Sequence, residues 1–172
     1  KIINENTFHM QGSNHACEMT MHSNYGQTVE APLMFASALM DFACCSYGGV
    51  IRVFSYAPKA WDEASFWHFR AEGAFLVSAN RVNGATQFIG IVSEAGGTCR
   101  LLSDIGTRVQ VSCDQALVAF SVEGGKIAFD TEAGKEYLVT RKGAAQTDLS
   151  IVPVTGKPYE RNFFGLKKKS RY

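Results

Sequence analysis

The side chains best suited to chemistry in this 172-residue sequence are three of its four histidines, which lie in a polar N-terminal stretch. Imidazole, thiolate and carboxylate groups are all ligands of metal ions, and the stretch supplies each of them, in His9, His15, Cys17, Glu18 and His22. Their spacing fits no known ligand pattern, and Asn and Ser are as frequent as His nearby. We therefore interpret them as hydrogen-bonding groups that line a cleft, with a metal site as the alternative, and predict no metal and no cofactor.

A second candidate is a group of aromatic residues near the middle of the chain. Its members are Trp61, Phe66, Trp67 and Phe69. Exposed rings on a β-sandwich can stack on sugar rings, whereas aromatic residues in the first strands of a sandwich usually fill its core. We take the core role as the main interpretation and keep sugar stacking as the alternative.

Three nearby charged residues, Arg52, Arg70 and Glu72, are interpreted as members of surface or interdomain ion pairs rather than as a catalytic set. The sequence has no nucleophile elbow, phosphate loop or dinucleotide fingerprint. The β-rich part of the chain therefore reads as a non-catalytic module.

The overall charge excludes some partners. With 17 basic and 16 acidic residues the net charge is +1, which gives no general attraction to nucleic acid or to a membrane surface. No apolar run reaches the length of a membrane span. The basic end, residues 166–172, is interpreted as a solvated terminus. The chain opens at Lys1 without a signal peptide or an initiator Met, which suggests a processed product, an engineered product or a fragment.

The five cysteines match no zinc-binding pattern. Cys44 and Cys45 are neighbours in an apolar run and are interpreted as small core residues. Cys99 and Cys113 lie in strands predicted to be adjacent, so they could pair in an exported protein. The compartment stays open, with a secreted or cell-surface location favoured.

The positions of these residues depend on two kinds of element. After an irregular stretch over residues 1–27, a helix is predicted from Pro32 to Ser46, because proline suits a first helical turn and Gly48 and Gly49 suit a helix end. Apolar side chains fall on nearly every side of this helix, which is typical of a buried helix. The rest of this chain could cover only one of those sides.

From residue 50 the apolar period changes to two, which predicts β-strands. Phe66 alternates with Trp67, Phe75 and Val77 share a face, and Asn83-Gly84 is a strong hairpin signal. Five later segments are each predicted as one strand, namely TCRLL, TRVQVS, ALVAFSV, KIAFDT and KEYLVTR. Strands at this spacing indicate an antiparallel sandwich or barrel.

One stretch of the sequence resembles a known family. The residues that carry the resemblance are Ile51, Arg52, Val53, Phe54, Ala57, Pro58, Trp61, Phe66, Arg70, Ala71, Gly73, Phe75, Val77, Gly97 and Cys99. This pattern resembles the passage from the helical (α/α)6 barrel to the terminal β-sandwich in glycoside hydrolase family 95 proteins. The resemblance implies a mainly β fold, an antiparallel β-sandwich preceded by an irregular loop and one buried barrel helix. The implied boundaries are 1–47 for the barrel end, 48–142 for the sandwich and 143–172 for a wrapping tail.

The resemblance also implies a carbohydrate-active parent whose relatives hydrolyse α-linked fucosides and some galactosides with inversion. Such enzymes use an acid and a base on opposite faces of the sugar. The acid belongs to an upstream part of the barrel. In the family, the group that acts as the base lies in an Asp-Gly-Asn-Phe-Gly motif. This motif corresponds here to residues 22–26. His22 replaces the aspartate of the motif, and Asn24 matches its asparagine. The implied sugar contacts are Asn14, Tyr25 and Glu30.

Two hypotheses follow for the chain. In the first it is the C-terminal piece of a glycoside hydrolase-like protein and contributes one wall of a sugar cleft. In the second it is a non-enzymatic glycan-binding or structural subunit of a larger assembly. Both predict a carbohydrate ligand and a partner that covers the helix over residues 32–46, either the rest of the precursor or another chain.

Overall fold

One helix followed by eleven strands makes up the computed structural model, which describes residues 30–143 and 150–151. The helix α1 spans Glu30–Ala43. The strands are β1 Cys44–Tyr47, β2 Val50–Val53, β3 Ala64–Ala71, β4 Phe75–Val82, β5 Ala85–Ser93, β6 Gly97–Ser103, β7 Val109–Cys113, β8 Ala116–Val118, β9 Ser121–Glu123, β10 Lys126–Thr131 and β11 Lys135–Arg141.

The strands form two sheets. One has five strands in the order β1-β2-β6-β10-β9, and the other has six in the order β3-β4-β5-β11-β7-β8. Most neighbouring strands are antiparallel, and β2 with β6 is a parallel pair. The predicted mainly β, antiparallel sandwich is therefore confirmed, with this one parallel pairing in it.

The core lies between the inward faces of the sheets. Phe75 and Val77 are 4% and 0% exposed, which confirms the predicted burial of both. The largest fully buried side chains are Ile89, Ile91, Leu101, Ile127, Val53, Val77, Val111 and Val139. Because burial of one such side chain contributes about 1.5–3 kcal/mol, this layer is the main source of stability.

The hairpin predicted at Asn83-Gly84 joins β4 to β5. Both residues have positive φ, 52° and 72°. This is the geometry of a type I′ turn, whose twist matches that of the flanking strands.

The helix differs from its prediction in extent. It ends at Ala43 rather than Ser46, because Cys44–Tyr47 pairs with β2 as a strand. The expectation that the rest of this chain leaves sides of the helix uncovered agrees with the exposed fractions of Met34, Met40 and Phe42, which are 72%, 51% and 40%. One chain segment cannot cover its own apolar sides, so these side chains face solvent here.

The segment ALVAFSV, predicted as one strand, contains two. Ala116–Val118 pairs with β7 in the six-stranded sheet, and Ser121–Glu123 pairs with β10 in the five-stranded sheet. Ala119 and Phe120 carry the chain from one sheet to the other. The change of sheet could not be predicted from the sequence, because the segment is apolar throughout.

The cysteine predictions have mixed outcomes. Cys44 is buried in the core, as predicted, whereas Cys45 is half-buried. Cys99 and Cys113 do not lie in adjacent strands, since β6 and β7 belong to different sheets, and both are free thiols. The predicted adjacency of their two strands is therefore wrong.

The chain divides into two compact units at residues 39 and 40. The larger unit, Met40–Pro153, contains the end of α1 and all eleven strands, and the smaller contains α1 up to Leu39. Over the described ranges, none of the helical segments combines the length and the apolar character that crossing a bilayer requires.

Candidate functional site

The predicted sugar-contacting and catalytic residues are mostly outside the described part of the chain. This holds for Asn14, His22, Asn24 and Tyr25, as it does for the possible metal ligands between His9 and Glu18. Glu30 is described only as the first residue of α1. Across residues 30–143 and 150–151 no three His, Cys, Asp or Glu side chains lie close enough together to hold a metal ion.

The predicted aromatic cluster separates into three environments. Phe66 is 5% exposed and lies in the core, with ring centroids 5.5 Å from Phe54 and 4.7 Å from Phe69. Trp61 is half-buried and meets Phe42 at the end of α1 edge to face, at 6.3 Å. Trp67 is 61% exposed. The core interpretation is therefore confirmed for the phenylalanines, and Trp67 remains available to a ligand.

The loop over residues 54–63, here called the junction loop, positions Trp61 next to the end of α1. The Phe54 amide donates to the Ala43 carbonyl at 2.9 Å, which ties the start of the loop to the last residue of the helix. The Trp61 amide donates to the Pro58 carbonyl at 2.9 Å, which closes a turn inside the loop. The loop is therefore an ordered connection between β2 and β3.

Arg81 stabilises the junction loop through a network of hydrogen bonds and one ion pair. It is 8% exposed, and its Nε donates to the Trp61 carbonyl at 2.9 Å. Its Nη1 forms an ion pair with Asp104, which also accepts a hydrogen bond from the fully buried Thr86 hydroxyl. A buried guanidinium needs such partners. The network joins β4 and β5 to the junction loop and to Asp104, the residue that follows β6.

A second polar group lies at the turn between β1 and β2. The Arg52 guanidinium stands 3.6 Å from the centroid of the Tyr47 ring and donates to the Tyr47 and Val50 carbonyls at 3.1 and 2.9 Å. A side-chain hydrogen bond with Tyr56 raises the pKa of the Tyr47 hydroxyl. Tyr47 and Tyr56 are 55% and 53% exposed, so their hydroxyl groups face solvent.

The other predicted charged residues also act at the surface. Arg70 forms a bidentate ion pair with Glu94, in which its two Nη atoms donate to the carboxylate oxygens at 2.5 and 3.1 Å. This contact lowers the pKa of the Glu94 carboxyl and raises that of Arg70. Glu72 instead accepts a hydrogen bond from the Gly49 amide at 2.9 Å. Arg70 forms the predicted surface ion pair, whereas within the described residues Arg52 and Glu72 contact backbone groups instead.

The side chains on the described surface are suited to binding a ligand. It presents aromatic rings, two tyrosine hydroxyl groups and fixed cationic side chains around the junction loop and β3. Such groups stack on and hydrogen-bond to an uncharged, hydroxyl-rich ligand. The two tyrosines were missed by sequence reasoning. Their signal was the pair of aromatic residues on either side of Arg52, at positions 47 and 56.

Fold and surface together define a β-sandwich module of mainly antiparallel strands. Residues 45–139 match the family described as "Glycoside hydrolase family 95, C-terminal domain". Since this span is more than half of the sequence, the chain belongs to that family, and its origin is that of a carbohydrate-active enzyme. The resemblance seen in the sequence is thereby confirmed.

Among solved structures, the chain is similar to a family 39 glycoside hydrolase from the gut symbiont Bacteroides cellulosilyticus WH2. Identity is 18%, the match covers 46% of this chain and 17% of that one, and the TM-score is 0.36. A likeness of this size carries no argument about fold or function. No curated protein matches the chain.

Proposed function

We propose that this chain is the C-terminal portion of a glycoside hydrolase-like protein with a fucosidase- or galactosidase-like parent. Its sandwich has a structural role, and its N-terminal stretch forms one wall of the sugar cleft. The observation that carries the proposal is the family match over residues 45–139, which spans β1 to β11 almost completely.

The exposed side chains of α1 support a larger protein. Met34, Met40 and Phe42 are 72%, 51% and 40% exposed, and all three are large and apolar. Apolar surface of this kind usually marks a contact with another protein segment. In the proposed parent that segment is the remainder of a helical barrel, supplied by the same precursor or by another chain.

In the cleft wall, Asn14, Tyr25 and Glu30 are proposed to contact the sugar. His22 stands at the position of the family's aspartate, beside Asn24. A histidine can act as a base near neutral pH, but it brings no carboxylate charge toward an oxocarbenium-like transition state. Inversion needs a second, acidic group as well, and in this proposal the upstream barrel supplies it.

The second candidate function is a non-enzymatic glycan-binding or structural subunit. Two observations favour it for this chain taken by itself. His22 replaces the family aspartate, and Trp67 exposes an aromatic ring on the sandwich. The two functions differ in what the natural protein contains and in whether it breaks glycosidic bonds.

Recovery of the natural protein with an antibody against the sandwich tests the proposal. Native mass spectrometry and peptide mapping are expected to show this sequence joined to, or bound by, a helical partner, with a mass well above 18.8 kDa. The recovered assembly is then assayed with aryl α-L-fucoside and aryl galactoside, beside the purified 172-residue chain.

Hydrolysis by the assembly and none by the chain supports the enzymatic form of the proposal. An assembly that binds these sugars without hydrolysing them supports the second function instead. A stable 18.8 kDa monomer that binds no apolar dye contradicts both the missing partner and the barrel origin of α1.

A further inference from the structure

A β-bulge in β3 brings two aromatic side chains to the same face of the sandwich. Phe66 pairs with Ala79 and Phe69 pairs with Val77, so Trp67 and His68 together stand opposite the single residue Ser78. Two residues that oppose one interrupt the alternation of the strand. Phe66 and Phe69 therefore remain on the inner side, while the two residues between them are both exposed.

The two exposed rings lie one above the other as a stacked pair, here called the Trp67–His68 platform. Their centroids are 4.4 Å apart and their planes differ by 20°, which is a face-to-face stack. Since Trp67 is still 61% exposed, the stack leaves much of the indole open to solvent. The platform lies on β3, an edge strand of the six-stranded sheet, and none of the strands between residues 30 and 143 borders its outer side.

The backbone under the platform is held in an unfavourable conformation. His68 has φ 54°, in the left-handed region that a residue with a β-carbon seldom adopts. Its amide donates to the Ser78 hydroxyl at 3.0 Å, which fixes the bulge. Glycine would occupy this position without strain. Strained positions are concentrated at sites with a function, and here the strain serves to align an imidazole with the indole.

The surroundings of the platform are mostly polar. Ser65 and Asn80 face each other on its N-terminal side, and Arg70 follows on its C-terminal side, paired with Glu94. Half-buried Leu76 lies opposite Arg70. A protein interface has a contiguous apolar core, whereas this surface has one aromatic plane inside a polar border. That arrangement fits a ligand with a flat C–H face and hydroxyl groups around its edge.

We propose that the Trp67–His68 platform is a binding site for one hexopyranose ring of a neutral glycan. The sugar stacks its C–H face on the indole, and its hydroxyl groups meet the polar border. The inference deepens the glycan-binding form of the proposed function, but the platform is separate from the cleft wall and needs no catalysis.

The test uses the full 172-residue chain and three uncharged probes, methyl α-L-fucopyranoside, methyl α-D-galactopyranoside and methyl β-D-glucopyranoside. Saturation-transfer NMR titrations are expected to show binding of at least one probe. For Trp67→Ala we expect the Kd to rise about tenfold or more, which corresponds to the loss of one aromatic contact. Leu117→Ala is the matched control, because Leu117 is 76% exposed on the opposite edge strand of the same sheet.

A second variant separates binding from folding. His68→Gly relieves the left-handed strain, so we expect a higher melting temperature together with weaker sugar binding. Unchanged affinity in either Trp67→Ala or His68→Gly overturns the two-ring platform. The site is also overturned if no probe binds at its limit of solubility, or if the wild-type chain self-associates through Trp67 instead. None of these results bears on whether the natural assembly hydrolyses glycosides.

Discussion

The ring of Phe75 occupies the space beside Gly73 that a side chain at that position would need. A β-carbon on Gly73 would stand 2.8 Å from Cε2 of the ring, and Gly73 has φ 82°. Phe75 is 4% exposed and begins β4 in the core. The tight turn between β3 and β4 and the packing of the Phe75 ring therefore depend on each other.

Gly73→Ala is expected to destabilise the sandwich by about 2–4 kcal/mol, from left-handed strain and a clash with the buried ring. Gly134→Ala is the matched control, since Gly134 has φ 79° with no atom within 4 Å of the added carbon. The difference between the two variants in urea unfolding isolates the contact with Phe75. Equal losses would show that the ring moves aside freely.

Phe75→Ala is expected to lower the free energy of unfolding by about 3–5 kcal/mol, because it removes a buried ring and leaves a cavity. Val122→Ala serves as a surface control, since Val122 is 53% exposed, and should change stability by less than about 0.5 kcal/mol. The measurement is denaturant unfolding with a check that the m-value is unchanged. Similar losses in both variants would contradict the assignment of Phe75 to the core.

Asp104→Ala is expected to cost about 3 kcal/mol, because it leaves the buried Arg81 guanidinium without its ionic partner. Arg70→Met removes an ion pair whose side chains are 65% and 37% exposed, and should have only a small effect. Trp61 reports the local change, since its carbonyl accepts from Arg81, so its fluorescence should shift in Asp104→Ala and not in Arg70→Met. A small loss of stability in Asp104→Ala would mean that water replaces the carboxylate.

The buried thiols predict a loss of stability at alkaline pH. Burial raises the pKa of both Cys44 and Cys99 from 9.0 to about 12, with Cys45 and Asp41 contributing at Cys44. Below pH 9 the thiols are protonated in both states, so their contribution is complete. Between about pH 9 and 12 these thiols are deprotonated in the unfolded chain but still protonated in the folded one. The free energy of unfolding therefore falls by up to about 1.4 kcal/mol per pH unit for each thiol.

Urea unfolding at several alkaline pH values checks this dependence. Cys99→Ala should give a shallower decline of stability than the wild type. Iodoacetamide labelling with peptide mapping supplies an independent test, in which Cys99 is protected in the folded chain and the half-buried Cys113 is modified. Equal labelling of Cys99 and Cys113 in the folded chain would contradict the burial of Cys99.

Some of the architecture could be predicted because it depends on local signals. Period-two alternation placed Phe75 and Val77 in the core, and Asn83-Gly84 specified its turn through residues that tolerate positive φ. The end of α1 could not be found in this way. Cys44 and Cys45 continue an apolar run, and only their pairing with β2 makes them a strand.

The site was predicted less well than the fold, for two physical reasons. The bulge at Trp67 and His68 depends on pairing with Ser78 in another strand, β4. The sequence did hold one signal of the bulge, because the three-residue spacing of Phe66 and Phe69 breaks the period-two alternation. The network around Arg81 joins segments that only the tertiary fold brings together. The cleft residues from Asn14 to Tyr25 lie outside the described part of the chain and remain predictions.

The parallel pairing of β2 with β6 also sets an order of assembly. It joins Ile51 to Leu101, whereas β3, β4 and β5 pair with their neighbours in sequence. Closing the long loop between β2 and β6 costs more chain entropy than forming the intervening hairpins, so those hairpins can form first. On the ribosome, β1 and β2 emerge before every other strand and must wait for β6. The part of the sandwich that is synthesised first thus completes its pairing only after the three strands that follow it have emerged.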